Sequence, residues 1–148
     1  MRALNVALIA LLGLSMTYGA PNGDLVTKLP DCERMKTEWY SGYVDASKTK
    51  HLHYVFVQSQ SDPVNDPLVL WFNGGPGCSS LLALFAEHGP FVIDDGEYYI
   101  KTNPEPWNKR ANILYLESPA GVGFSIADTP KDIYHNDMSQ SKDAFAAL

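Results

Sequence analysis

Cysteine is scarce. Only Cys32 and Cys78 occur in 148 residues. Two thiols exclude a disulfide framework and leave two pairings open, with each other or with a partner outside this chain. Positive charge is also short. Eleven Lys and Arg stand against seventeen Asp and Glu, a formal net charge of -6, and nucleic acid would want a basic face. No charge run, internal repeat or low-complexity tract is present. There is no Asn-x-Ser/Thr sequon, so no N-glycan is expected. Long apolar runs are missing too. The run from Ala3 to Met16 follows Arg2, is broken by Asn5, and falls short of the roughly 20 apolar residues that span a bilayer. With small residues at Thr17, Gly19 and Ala20 it reads as a secretory signal peptide over residues 1–20. Cleavage after Gly19 is preferred to cleavage after Ala20, because Pro21 would follow the second cut directly. No later segment qualifies as a membrane span, and the secretory pathway permits disulfides.

What is present is an ordinary globular composition, 45% hydrophobic, enough for one domain or part of a larger one. "WYSGYV" (39–44) and "HLHYVFVQ" (51–58) are rich in aromatic and β-branched residues, and the polar "DASKTK" between them predicts an antiparallel pair. "LVLWF" (68–72) is apolar at every position, the pattern of a strand buried on both faces. "SSLLALFAEH" (79–88) predicts a helix stopped by Gly89-Pro90. "PFVID" and "EYYIK" flank Asp94-Asp95-Gly96 and suggest a hairpin. Ile113–Leu116 is another short strand, and Asn136 or Asp137 caps a last helix that runs to Leu148 without a stop signal. This order belongs to an α/β protein. Such a helix is expected to return to a further parallel strand, so the chain reads as cut.

The densest chemistry lies between the third predicted strand and the first helix. Asn73-Gly74-Gly75-Pro76-Gly77-Cys78-Ser79-Ser80 presents backbone N–H groups near a helix N-terminus, which suits negative charge. A phosphate loop would want a lysine, and none lies between Lys50 and Lys101. Gly75-x-Gly77-x-x-Ser80 approaches the dinucleotide fingerprint, but Ser80 replaces the third glycine and Pro76 removes an N–H. A turn that binds nothing stays open. An oxyanion fits best, because α/β-hydrolases take one oxyanion-hole donor from the loop between the third strand and the first helix.

"LWFNGGPGCSS", "FAEHGPF" and "WNKRANILYLESPAGVGFS" resemble the serine carboxypeptidases from about Tyr40 to the C-terminus, as do "YSGYV" and "KHLHYVFVQSQ". The resemblance implies the N-terminal part of an α/β-hydrolase fold, with a mixed sheet whose first strands are antiparallel. It implies release of single residues from peptide C-termini through an acyl-enzyme, with peptide or protein C-termini as partners and no cofactor or metal. By resemblance the Gly75 N–H is an oxyanion-hole donor. Asn73 and the Gly74 backbone bind the substrate's C-terminal carboxylate, and Trp71 supports them. Glu87 shares a proton with a second glutamic acid beside the nucleophile, which keeps a donor available in mildly acidic surroundings. Cys78 is implied to pair with a cysteine beyond these residues, and the protein to be lysosomal, vacuolar or secreted.

Ser118 in "LESPAG" is not read as the nucleophile. The residue after a nucleophile donates its N–H to the oxyanion hole, and Pro119 has none. Leu116 also stands where the Gly-x-Ser-x-Gly elbow needs its first glycine. The family's Gly-Glu-Ser-Tyr-Ala-Gly motif does not occur in these 148 residues, nor do its later Asp and His, so this portion is expected to be inactive alone. His51, His53, His88 and His135 read as strand, helix-end and surface residues. A plant-type acyltransferase and a non-catalytic, peptide-binding secreted fragment are the alternative functions.

Overall fold

The computed structural model describes residues 21–30, 32, 34–93, 96 and 98–148. The expected leader at 1–20 and most of the Asp94-Asp95-Gly96 turn lie outside them.

Alternating aromatic and β-branched residues build the centre of the sheet. Strand β2 (Trp39–Ser47) pairs antiparallel with β3 (Lys50–Val57), in a register that sets Trp39 opposite Val57 and Tyr43 opposite His53. The expected polar loop is shorter than its composition suggests. Asp45 to Ser47 remain strand, with a register shift there, and only Lys48 and Thr49 turn. A short strand β1 (Leu25–Val26) pairs with the start of β2. Further along, β4 (Leu68–Trp71), β5 (Phe91–Val92), β6 (Lys101–Thr102), β7 (Asn112–Leu116) and β8 (Ile126–Ala127) follow. The main sheet runs β1-β2-β3-β7-β4, with β8 on the start of β3. β7 is antiparallel to β3 and parallel to β4, so the sheet is mixed, as expected. β5 and β6 form a separate antiparallel pair, joined through a longer connection than a tight turn.

Two sequence expectations are corrected. "LVLWF" is not buried on both faces, because β4 lies at the edge of the described sheet, and Leu68 is 62% exposed. It is also the fourth strand, since the two-residue β1 carries no periodicity by which sequence could reveal it.

Each sheet face has its own core. On one, Trp39, Val55, Val57, Ile113 and Tyr115 pack beneath helix α1 (Leu81–Ala86), which buries Ala83 and Leu84 fully. Truncating a leucine in such a place costs about 2–5 kcal/mol. On the other face Leu52, Tyr54, Leu116 and Ala120 gather, and Ala147 of helix α2 (Asp137–Ala147) packs against them. α2 begins where its cap predicts. Asn136 accepts from the Ser139 N–H at 2.9 Å, and the Ser139 hydroxyl takes the Asn136 N–H in return. The ion pair Lys50–Asp143 (2.7 Å) ties α2 to the sheet. α1 is shorter than "SSLLALFAEH" suggests, because Ser79 and Ser80 spend their hydroxyls on tertiary partners rather than on a further turn. No helix among the described residues is long and apolar enough to cross a membrane.

Candidate functional site

β4 delivers Trp71 to its C-terminal end, and the chain then leaves the sheet as the glycine loop. The Trp71 indole N–H donates to Asn73 Oδ1 at 2.7 Å. An indole can only donate, so this bond fixes which end of the Asn73 amide is which, and among the described residues its NH2 group has no acceptor. The Asn73 N–H meets the Ser80 hydroxyl at 3.2 Å, and that hydroxyl donates to the Leu116 carbonyl at 2.7 Å. Both ends of the loop are therefore fastened to the sheet.

The loop itself is open. Residues 74–78 are exposed. It is closed by one backbone bond, Cys78 N–H to Gly74 O at 3.3 Å, and among the described residues nothing accepts from the Gly74 or Gly75 N–H. Gly75 has φ +136°, where side chains are disfavoured, and a Cβ there would sit 3.1 Å from the Gly77 and Cys78 nitrogens. Glycine is required here because this φ and this close approach leave no room for a Cβ. Free N–H groups on a turn beside a helix start form a concave donor surface suited to an anion.

Trp71 also meets the far end of α1. Its ring lies edge-on to His88, 4.4 Å between centroids, and His88 stacks on Trp107 at 4.2 Å. The Tyr115 hydroxyl meets His88 Nδ1 at 3.1 Å. Burial, against the opposing pull of Glu87, holds the His88 imidazole below its ordinary pKa, so it packs as a neutral ring. These contacts fasten His88, two residues past the end of α1, against Trp71. Glu87 itself is exposed, and its carbonyl accepts from the Asn103 side chain at 3.4 Å. Cys78 is exposed, Cys32 is half-buried, and both are free thiols, so they do not pair with each other.

Ser118 is buried, 5% exposed, and among the described residues its Oγ has no hydrogen-bond partner. No histidine is there to activate it, in agreement with the argument from Pro119. The histidines hold a surprise. His51 is a half-exposed residue paired with Asp45 at 2.6 Å. His135 is not a surface residue: its side chain is 8% exposed and Nε2 reaches the Ala120 carbonyl at 3.1 Å. His53 lies buried between Ser41 Oγ (2.9 Å from Nε2) and Glu117 (2.9 Å from Nδ1).

Ser41, His53 and Glu117 thus form a serine–histidine–acid chain of the type that activates hydrolase nucleophiles. Its surroundings argue against catalysis. Ser41 lies within paired strand β2 and faces a cavity of about 400 Å3 walled mainly by apolar side chains, including Trp39, Leu84 and Phe85. Tyr43, on the same wall, donates its hydroxyl to the Phe124 carbonyl at 3.1 Å. Sequence reasoning missed this chain, since its three members are scattered along the sequence and no short motif contains two of them.

The comparisons with known proteins bear on family and fold. The family model for serine carboxypeptidases matches residues 30–148. The lysosomal protective protein of Mus musculus is 48% identical over 142 residues, covering 95% of this chain and 30% of that protein. Serine carboxypeptidase-like 20 of Arabidopsis thaliana is 42% identical over 141 residues, 90% of this chain and 28% of that protein. The crystal structure of Kex1Δp, a prohormone-processing carboxypeptidase from Saccharomyces cerevisiae, superposes with a TM-score of 0.64 at 23% identity, covering 76% of this chain and 27% of that one. The chain therefore spans less than a third of the length of these proteins. The shared fold is that of the α/β-hydrolases.

Proposed function

The chain belongs to the serine carboxypeptidase family, and from that premise we infer that it supplies the oxyanion and substrate-carboxylate half of a serine-type carboxypeptidase. The observation that carries this reading is the Trp71–Asn73 hydrogen bond. It turns the amide so that NH2, the donor end, is the end left for a ligand. A peptide's free C-terminus is such an acceptor, and the Gly74 N–H adds a second donor to it. By the family resemblance, Glu87 contributes a third when protonated, sharing its proton with a glutamic acid beside the nucleophile.

The Gly75 N–H would then receive the oxygen of the scissile carbonyl as it becomes an oxyanion. Such a donor is worth about 2.7–4 kcal/mol of transition-state stabilisation. Holding the carboxylate fixes the scissile bond one residue away from the chain end, which is the physical basis of removing single C-terminal residues. Hydrolysis further needs a nucleophile, a base and an acid that no motif in these 148 residues provides, so the chain alone does not turn over peptides. Passage through the secretory pathway to a lysosome, vacuole or the exterior, and pairing of Cys78 with a cysteine outside these residues, belong to the same reading.

The test is titration of the 148-residue chain with a dipeptide bearing a free C-terminus and with its C-terminal amide, followed by NMR at the Asn73 side-chain NH2. The expected result is a shift with the acid only. Equal shifts with both, or none with the acid, overturn the carboxylate assignment. An ester-forming acyltransferase would bind neither in this way. A fluorophosphonate probe is expected to label neither Ser118 nor Ser41.

A further inference from the structure

The motif "ESPAGVGFS" has no role in the site just described, yet it folds around one atom group. The Glu117 carboxylate is wholly buried and receives three donors. His53 Nδ1 lies 2.9 Å from Oε2, the Phe124 N–H donates to Oε2 at 2.8 Å, and the Ser79 hydroxyl donates to Oε1. The loop after Glu117 is wound to bring Phe124 there. Val122 N–H returns to Pro119 O at 3.1 Å and Ser125 N–H to Val122 O at 2.9 Å, while Ser125 Oγ donates to Glu117 O at 2.6 Å. Gly123, at φ +55°, stands where an added Cβ would overlap the carboxylate. Ser41 takes its place in the same design, because its hydroxyl occupies His53 Nε2 and leaves Nδ1 to face Glu117.

The three donors point to different elements. His53 is on β3, Phe124 is on the wound loop, and Ser79 is the residue between the glycine loop and α1. The last link reaches toward function. Ser79 follows Cys78, and the adjacent Ser80 hydroxyl connects the Asn73 N–H to the Leu116 carbonyl. Thus residues 116 and 117 hold residues 79 and 80, and these close the loop that carries Gly75.

We propose that Glu117 is a positioning residue for the glycine loop, acting through Ser79 as a buried carboxylate that fixes the backbone donors of Gly74 and Gly75. Its chemistry requires an ionised acid. All three partners donate, so a glutamine amide in its place would set an NH2 against at least one of them, and a protonated acid an O–H. Burial pushes the carboxyl up, but the bonds from His53, Ser79 and Phe124 outweigh it and hold it below the ordinary carboxylate range. For its catalytic meaning the assignment rests on the reading of Gly75 as an oxyanion donor.

The test is NMR on the 148-residue chain, as wild type, Ser79→Ala and Glu117→Gln. In wild type the Gly75 and Gly77 amide shifts should follow the Glu117 titration as pH falls. His53 is the ionisable side chain bonded to Glu117. In Ser79→Ala the Glu117 component should vanish at Gly75 and Gly77 but persist at the Phe124 amide. Exchange at Cys78 and Asn73 should rise about tenfold while exchange in β3 stays unchanged. Glu117→Gln should abolish the titration at both places. Ser79→Ala removes one hydroxyl, so it decides the matter even if Glu117→Gln does not fold. A glycine loop with unchanged titration and unchanged exchange in Ser79→Ala overturns the proposal, and leaves the donor reading standing. Failure of wild type to bind a free-carboxylate dipeptide removes the donor reading, and leaves the anchor standing.

Discussion

Two short segments contrast sharply: the glycine loop, 73–80, and the segment wound around Glu117, 117–125. Both are rich in glycine and serine, and both depart from a strand end. In the first, residues 74–78 are exposed and the Gly74 and Gly75 N–H groups have no acceptor among the described residues. In the second, backbone and side-chain groups close on a carboxylate that no water reaches. A buried carboxylate must be satisfied, whereas donors kept for a ligand must be left open. Open donors supported by satisfied ones are the arrangement expected of a preorganised site.

This contrast predicts that changes near Glu117 damage the fold, and changes in the loop damage binding. The largest effect is expected from Glu117→Ala. It leaves His53 and the Phe124 N–H buried without their acceptor, and should cost about 3–5 kcal/mol in urea unfolding. A loss under about 1 kcal/mol would show that water replaces the carboxylate and would break the comparison. Gly75→Ala comes next. Forcing a side chain into φ +136° against the Cys78 backbone should cost about 1–3 kcal/mol, with local NMR changes at Gly77 and Cys78 and none in β7.

Acid should separate the two regions in sequence. His88, which packs on Trp71 beside the loop, has its folded pKa held below the unfolded value of 6.5. A depressed histidine contributes stability that is present above that value and is lost as pH falls through the folded one. Glu117 is also depressed, so its contribution is lost in the same direction but lower, below the usual carboxylate range. Stability measured against pH should therefore fall in two steps, and His88→Phe should remove the upper one alone. The smallest effect on stability belongs to Asn73→Ala. It should change unfolding by no more than about 0.5 kcal/mol, yet weaken free-carboxylate binding about tenfold or more, the worth of a bond to a charged group. Calorimetry of the same variant measures both. A loss of stability matching the loss of binding would make Asn73 a fold residue.

Much of the fold was legible because its signals are local. The β2–β3 pair shows in alternating aromatics, α2 shows in the Asn136 cap, and the loop shows in three glycines within four residues. Where elements are defined by partners, legibility fails. β1 and β8 are two residues long and exist only through pairing with β2 and β3. "LVLWF" looks like a central strand, yet in the described sheet it is an edge, because an apolar run records a preference for burial and not the number of neighbours. Glu117 reads as a polar residue in a serine motif. Its partners Ser79 and His53 are 38 and 64 residues away, beyond any window in which periodicity or spacing operates.

By itself the sequence determined the class of the fold, the family and the residues that open the glycine loop. Each of these depends on backbone propensity or on a contiguous motif, and such information is carried by neighbours along the chain. The tertiary structure decided which polar groups are consumed and which are left free. It turned the Asn73 amide by means of Trp71, buried Ser118, and joined Ser41, His53 and Glu117 into one chain behind the loop. Those outcomes depend on desolvation and on hydrogen-bond geometry between residues distant in sequence, and neither exists until the sheet has closed.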